Sequence, residues 1–304
     1  MPAEARSPAV PRGAGPVVAL VLVQLFFGVF SVIGKLALRE VTPFVLVAFR
    51  AVGGSLLLAL LSRVLAPDEP RWTRRDAGTV VLLGMLGVFG NQLLFVSGLA
   101  RTTATSATLL GVTIPVFTLL LAAATGTERP GARRTLGIAV ALAGVLSLLL
   151  PRGADLAPEH LAGNLMIVVN CLVYSGYLVL SRDILRRRSA FAVVAAAFVS
   201  ASVPVLLVAL PDLARFRPGS VTATGWAAIA GVVLLSTVGA YALNAWALAR
   251  TSPSTAAAFI YLQPLVASLL AAVVLGERPG PRTFVAAALI FAGLALTTAP
   301  ARRG

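Results

Sequence analysis

The side chains best able to do chemistry in this 304-residue chain are a small set of polar groups embedded in long apolar runs. They are Gln24 and Ser31; Asn91 and Gln92; Thr113; Asn170, Tyr174 and Tyr177; Tyr241 and Asn244; and Tyr261 with Gln263. All are neutral amides, phenols or hydroxyls that can both donate and accept hydrogen bonds. Asn170, Tyr174 and Tyr177 stand at i, i+4 and i+7, and Tyr241 and Asn244 at i and i+3, so each set shares one helix face. An unpaired polar group facing lipid is costly, so such faces belong in a bundle interior or a wet cavity. Any one of these residues could serve equally well as glue between helices. As a set they point to a cavity that recognises a small solute by hydrogen bonding.

Other chemistries lack their parts. His160 is the only histidine and stands in a polar connection; Cys171 is the only cysteine and should pack as a small hydrophobe. Metal centres, internal disulfides and catalytic triads therefore have no ligand or residue set. No Gly-x-x-x-x-Gly-Lys-Ser/Thr loop occurs, so no nucleotide motor is encoded and no cofactor is expected. No Asp or Glu falls in the middle of an apolar run, so the buried carboxylate that would trade a proton for a cationic drug is missing. That favours a neutral or zwitterionic solute. Arg50 is the most deeply embedded charge, about 11 Å along its helix from Pro43 at helical rise. It could hold an anion, although an arginine so placed more often caps carbonyls or snorkels outward, as Lys35 should. Glu128 and Glu277 stand in turns beside arginines and should pair with them.

The elements that must position these groups follow from composition. The chain is 58% hydrophobic and only 12% charged, too few polar residues to cover a water-soluble surface. Ten runs are long enough to span a bilayer: Pro16–Leu38, Pro43–Leu65, Ala77–Leu99, Ala104–Ala124, Thr135–Leu150, Leu161–Leu180, Ala190–Leu210, Ala223–Ala249, Ser254–Leu275 and Thr283–Ala299. The first is read as a retained membrane helix rather than a cleaved leader. The net charge of +14 comes from basic residues spread through short connections rather than one patch, which argues against nucleic acid and for headgroup contact. Sixteen Lys and Arg residues fall on one side and eight on the other, with Arg50 inside a helix, so both termini are expected in the cytoplasm.

The chain also repeats. Residues 99–148 laid on 248–297 give eighteen identities in fifty. Among the rarer matches are Leu99-Ala100-Arg101-Thr102 with Leu248-Ala249-Arg250-Thr251, Pro115 with Pro264, Glu128-Arg129-Pro130-Gly131 with Glu277-Arg278-Pro279-Gly280, and Gly144 with Gly293. Five spans separate equivalent points, an odd number, so the second copy enters from the opposite face. The expected fold is an all-α integral membrane protein of ten helices in two inverted five-helix repeats, residues 16–150 and 161–299. Pro115 and Pro264 each withhold a backbone donor and bend their helix, as hinges or as static shaping.

These features, a proline in the fourth helix of each half, the Gly276-Glu277-Arg278 turn weakened to Thr127-Glu128-Arg129 in the first copy, and the glycine pair, resemble the EamA-type transporters of the drug/metabolite transporter superfamily. The family's first-helix aromatics appear here as Phe27 and Tyr174 rather than Trp. The resemblance implies a basket-like bundle around a central cavity and export of metabolites, amino acids or drugs without ATP. The partners expected are a small-molecule solute and the lipid bilayer of the bacterial cytoplasmic membrane, with a proton as one compatible coupling ion. A cationic multidrug exporter and a non-transporting scaffold are the competing readings.

Overall fold

The structure, a computed structural model, describes residues 14–129, 131–149, 157–266, 269 and 281–298; the side chain of Ser31 lies outside the described set. Among these residues all regular structure is helical. We number the helices α1 Gly15–Ala37, α2 Pro43–Leu65, α3 Arg74–Arg101, α4 Ala104–Gly111, α5 Ile114–Ala124, α6 Ala132–Leu149, α7 Pro158–Leu185, α8 Ala190–Arg215, α9 Ala223–Leu248, α10 Pro253–Ala258 and α11 Pro281–Thr298. Among the described residues, seven stretches are long and apolar enough to cross a membrane: α1, α2, α3, Ser106–Ala124 across α4 and α5, α7, α8 and α9. Leu56 and Leu60 on α2, Leu161 and Leu165 on α7, and Val203 and Leu207 on α8 recur every fourth residue and are all at least 60% exposed. Such stripes suit lipid rather than water. The protein is an all-helical, multi-pass membrane protein.

Helix entries are set locally by small hydroxyl caps. Thr42, Thr73, Thr103, Thr222 and Ser252 each accept a hydrogen bond from the backbone N–H three residues on. Pro43 and Pro253 occupy the first helical position, where a missing N–H costs nothing. Two of these caps recur at the sequence offset of the repeat, since Thr73 and Thr222 are 149 apart and so are Thr103 and Ser252.

Interhelical packing pairs the elements in a matched way: α1 against α9, α3 against α7, α2 against α8 and α6 against α11. Without a hydrophobic drive between helices in lipid, close backbone approach at small residues holds such pairs. On α2 and α8, Gly54 admits the Phe198 ring and the Ser55 and Ser202 hydroxyls share a 2.7 Å hydrogen bond. On α6 and α11 the contact is glycine on glycine. A Cβ added at Gly293 would stand 2.5 Å from the Gly137 carbonyl oxygen and 2.6 Å from Ala141.

Charged groups gather at helix ends. Asp76 receives Arg187 at 2.7 Å and Arg188 at 2.8 Å, Glu69 accepts from the Ser189 N–H, and the Arg188 guanidinium lies over the Trp72 ring. Hydrogen bonding to Asp76 raises the Arg188 pKa further above its usual range. Glu128, in its turn, pairs with Arg134 and also accepts from the Ser254 N–H at 3.0 Å, tying the start of α10 to the turn after α5. Where α1 gives way to α2, Glu40 accepts from the Thr222 hydroxyl at 2.6 Å and its N–H at 2.7 Å; these bonds hold its carboxyl below the usual carboxylate range. Beside it the Thr42 hydroxyl donates to Asp212.

Several expectations shift. The run Ala104–Ala124 is not one kinked helix but two, broken at residues 112–113, with Thr113 standing at the N-cap position of α5 but making no side-chain cap bond. Pro115 withholds the donor that the Gly111 carbonyl would receive in a continuous helix, and the chain turns instead. The run from Ser254 opens as α10, tightens into a 3-10 turn at Phe259–Leu262 and is helical again over residues 263–266. Its expected end and the turn at Glu277 lie outside the described residues. His160 belongs to the first turn of α7, not to a connection.

The α6–α11 contact yields a direct check. Gly293→Ala should cost about 1–3 kcal/mol through overpacking, read as a lower thermal midpoint of the detergent-solubilised protein. Gly78→Ala, within α3 where an added Cβ meets nothing within 4 Å, should not lower the midpoint and should raise it slightly, since Ala is the better helix former.

Candidate functional site

The polar groups that lipid cannot accept converge on one cavity between the helices. It encloses about 1060 Å³, counting the space open at its mouth, and is lined by residues of α1, α2, α3, α4, α5, α7, α9 and α10, together with Ile260 and Gln263. Its apolar wall includes Phe27, Phe30, Phe95 and Ile167; its polar groups are Gln24, Arg50, Asn91, Gln92, Thr108, Asn170, Tyr174, Tyr241, Asn244 and Gln263.

Hydrogen bonds knit this lining across the bundle. Gln263 donates Nε2 to Gln24 Oε1 at 2.9 Å. Asn170 donates Nδ2 to the Asn91 carbonyl at 2.7 Å. The Tyr241 hydroxyl lies 2.9 Å from the Gly87 carbonyl and 3.1 Å from Asn91 Oδ1, either of which can take its proton. Asn244 donates Nδ2 to the Tyr174 hydroxyl at 3.3 Å. The Tyr241 ring is fixed edge-on by Phe198 at 4.9 Å and by Phe27 at 6.4 Å.

Two segments of wider helical winding place the key atoms. Met85–Gly90 in α3 and Val232–Gly239 in α9 are π-helical, a form that recurs at functional sites because it turns backbone groups off the regular ladder. The first presents the Gly87 carbonyl to Tyr241 and ends at Asn91. The second holds Thr237, whose hydroxyl donates to the Val232 carbonyl at 3.1 Å and accepts from Arg50 Nε at 3.0 Å.

The expected residues divide. Gln24, Phe27, Asn91, Gln92, Asn170, Tyr174, Tyr241, Asn244 and Gln263 line the cavity. Tyr177, Thr113 and Tyr261 do not. Tyr177 stacks on Tyr174 at 5.8 Å and packs against Gly87, where no side chain intervenes. The Thr113 hydroxyl donates to the Leu110 carbonyl at 2.7 Å, within its own turn. Tyr261 is fully buried and its hydroxyl has no partner among the described residues. Pro115 and Pro264 stand next to the lining residues Ile114 and Gln263 without lining the cavity themselves. Arg50 belongs to the lining although carbonyl capping is the commoner fate for such a residue. The signal for it was its depth, the only charge well inside a run.

A multi-pass helical bundle around a polar cavity is the architecture of a membrane carrier. Family comparison agrees: residues 15–150 and 161–299 each match the EamA-like transporter family. The chain is 28% identical over 290 residues to an uncharacterized transporter of Archaeoglobus fulgidus, covering 92% of this chain and 96% of that one. It is 31% identical over 248 residues, 81% of each chain, to a probable terminal-alkyne amino-acid exporter of Streptantibioticus cattleyicolor. It is 26% identical over 315 residues to Protein WALLS ARE THIN 1 of Arabidopsis thaliana, covering 91% of this chain and 80% of that one. A crystal structure sharing 22% identity superimposes with a TM-score of 0.73 over 93% of this chain and 97% of the other, which shows the same fold. The chain belongs to the EamA-like transporter family, and it is a transporter rather than an enzyme.

Tyr241→Phe keeps the ring's packing and removes one hydroxyl. It leaves the Gly87 carbonyl and Asn91 Oδ1 without that donor, which should cost about 1–3 kcal/mol. Thermal unfolding of the purified variant should show this loss, and unchanged stability would mean that the hydroxyl bonds contribute nothing.

Proposed function

We propose that this protein is a secondary transporter that moves a small neutral or zwitterionic, amino-acid-like metabolite out of the cell across the cytoplasmic membrane. The observation that carries this reading is the cavity itself, lined by neutral amides and phenols with no carboxylate among its described lining residues. Amide oxygens and aromatic faces can receive an ammonium group, and amide nitrogens and phenols can receive a carboxylate or hydroxyl. The name of the Streptantibioticus relative, a probable amino-acid exporter, favours the same class and the outward direction. A cationic multidrug exporter fits less well, since the charge in this lining is that of an arginine.

Transport proceeds by alternating access of two inverted five-helix halves, residues 16–150 and 161–299, with ten spans and both termini in the cytoplasm. The matched pairing of α1 with α9 and α3 with α7, and of α2 with α8 and α6 with α11, supports this arrangement, as do the caps that recur 149 residues apart. The hydrogen bonds Gln24–Gln263, Asn91–Asn170 and Asn91–Tyr241 each join one half to the other, so a relative movement of the halves would remake the cavity walls.

Reconstituted in liposomes loaded with a mixture of unlabelled amino acids, the protein should support counterflow of at least one labelled amino acid. Asn244→Ala, Tyr174→Ala and Gln263→Ala should each cut that uptake roughly tenfold, the scale of one or two lost hydrogen bonds. Exchange of hydrophobic cations such as tetraphenylphosphonium, but of no amino acid, would replace the substrate class proposed here. The inversion has its own check. In a Cys171→Ala background, Arg129→Cys and Arg278→Cys should react with a membrane-impermeant maleimide from opposite sides of the bilayer; labelling from one side would refute inverted halves.

A further inference from the structure

Arg50 is held so that its recognition edge is left unused. It is 3% exposed, and a guanidinium stays charged even when buried at membrane depth, where charge is expensive unless it is answered. Its Nε–H goes to the Thr237 hydroxyl and its face lies over the Phe30 ring at 4.8 Å. Both contacts fix its orientation. Neither terminal nitrogen makes a hydrogen bond to a described residue, and the side chain lines the cavity.

Arginines with a purely structural role in this chain behave otherwise. Arg182, the other buried one among the described residues, donates Nη1 to the Thr127 carbonyl. Arg101 and Arg250 donate theirs to the Ser97 and Trp246 carbonyls at 3.0 and 2.9 Å. Nor does an acid answer Arg50 from among the described residues. Glu40, Asp76, Glu128 and Asp212 are engaged by other partners at helix ends, and the sequence places no Asp or Glu in the middle of an apolar run.

A second group shares this condition. Gln92 is 1% exposed and lines the same cavity, and neither its amide nitrogen nor its oxygen makes a hydrogen bond of normal geometry to a described residue. An orphaned buried amide costs free energy unless a ligand satisfies it. Arg50, Gln92 and Tyr241 all line this one cavity, so guanidinium and amide face the same space. A charged planar fork plus a neutral N–H donor matches a carboxylate, which accepts two parallel bonds from the fork and further bonds on its remaining lone pairs.

We propose that Arg50, with Gln92, is the receptor for a carboxylate group on the transported solute. This deepens the reading above and rests on a solute occupying the cavity. The solute's negative charge supplies the counter-charge that the fold withholds, so the free acid is selected over its uncharged amide.

The test uses pairs of probes with the same shape and different charge: 3-phenylpropionate with 3-phenylpropionamide, and 4-methylpentanoate with 4-methylpentanamide, chosen to suit the apolar wall. Binding to the purified full-length protein is read by ligand-dependent thermal stabilisation at pH 7.5. Wild type should bind at least one acid roughly 10- to 100-fold more tightly than its amide, the range expected of charge-assisted hydrogen bonds. Arg50→Gln should abolish that preference, and Arg50→Lys should retain part of it, since a lysine keeps the charge without the fork. The wild-type comparison needs no variant to fold. Equal binding of acid and amide, binding of neither, or an acid preference that survives Arg50→Gln overturns the proposal. Failure of amino-acid counterflow, with the acid preference intact, would instead count against the transport reading alone.

Discussion

Lipid offers no hydrogen bonds, and that constraint organises the whole molecule. Each polar side chain at membrane depth must find a partner inside the bundle or face a wet space. The chain meets this demand with small-residue contacts where helices need only touch, as at Gly137 and Gly293, and with amide and phenol contacts around one cavity. Charges are pushed to the helix ends, where Asp76, Glu69, Arg187 and Arg188 form one cluster and Glu128 with Arg134 another. The cavity is therefore as much a consequence of the solvent as of the ligand. A bundle that carries this many interior amides cannot close completely on itself.

The bonds around that cavity are of a particular kind. Gln24 to Gln263, Asn170 to Asn91, Tyr241 to Gly87 and Arg50 to Thr237 all run between the first and second parts of the sequence. Neutral bonds of this sort contribute about 0.5–1.5 kcal/mol each. A few of them fall within the several kcal/mol that separate interconverting states of a protein. They are strong enough to define a shape and weak enough to be exchanged for bonds to a solute or water. The ion pairs at the helix ends fasten neighbouring segments where lipid headgroups and water begin. The two broken stretches, α4 with α5 and α10 with the 3-10 turn after it, put irregular backbone beside the cavity rather than against lipid.

Much of this could be read from residues alone, and the failures are instructive. Apolar length located α2 to the residue, Pro43–Leu65, where the structure adds a Thr42 cap and a first-position proline. Helical spacing put Asn170 with Tyr174, and Tyr241 with Asn244, on shared faces, and the structure places all four in one lining. Spacing could not say what covers the rest of a face. Tyr177 shares the face of Tyr174 but is taken up by α3, because Gly87 opens a hollow there. Tyr261 reads in the sequence only as a polar neighbour of Gln263 within an apolar run; the chain there winds as a 3-10 turn, and Tyr261 stays out of the cavity that Gln263 reaches. The π segments in α3 and α9 leave no periodic trace in composition. Arg50 was visible as an oddity, yet its surroundings come from Thr237, 187 positions away, which no local pattern reports.

Arg50 also bears on why no acid stands among the described residues that line the cavity. A carboxylate beside it would satisfy the guanidinium internally, and a solute carboxylate would then have to displace an existing pair, losing most of what it gains. With only a hydroxyl and an aromatic face as partners, the guanidinium is oriented but electrostatically unanswered. Its cost in the empty cavity is tempered by whatever water the opening admits, and a bound anion replaces that water with bonds held in a setting of lower dielectric. Selectivity for charge then comes from an interaction the protein leaves incomplete, and shape selectivity from the wall of Phe27, Phe30 and Phe95 around it.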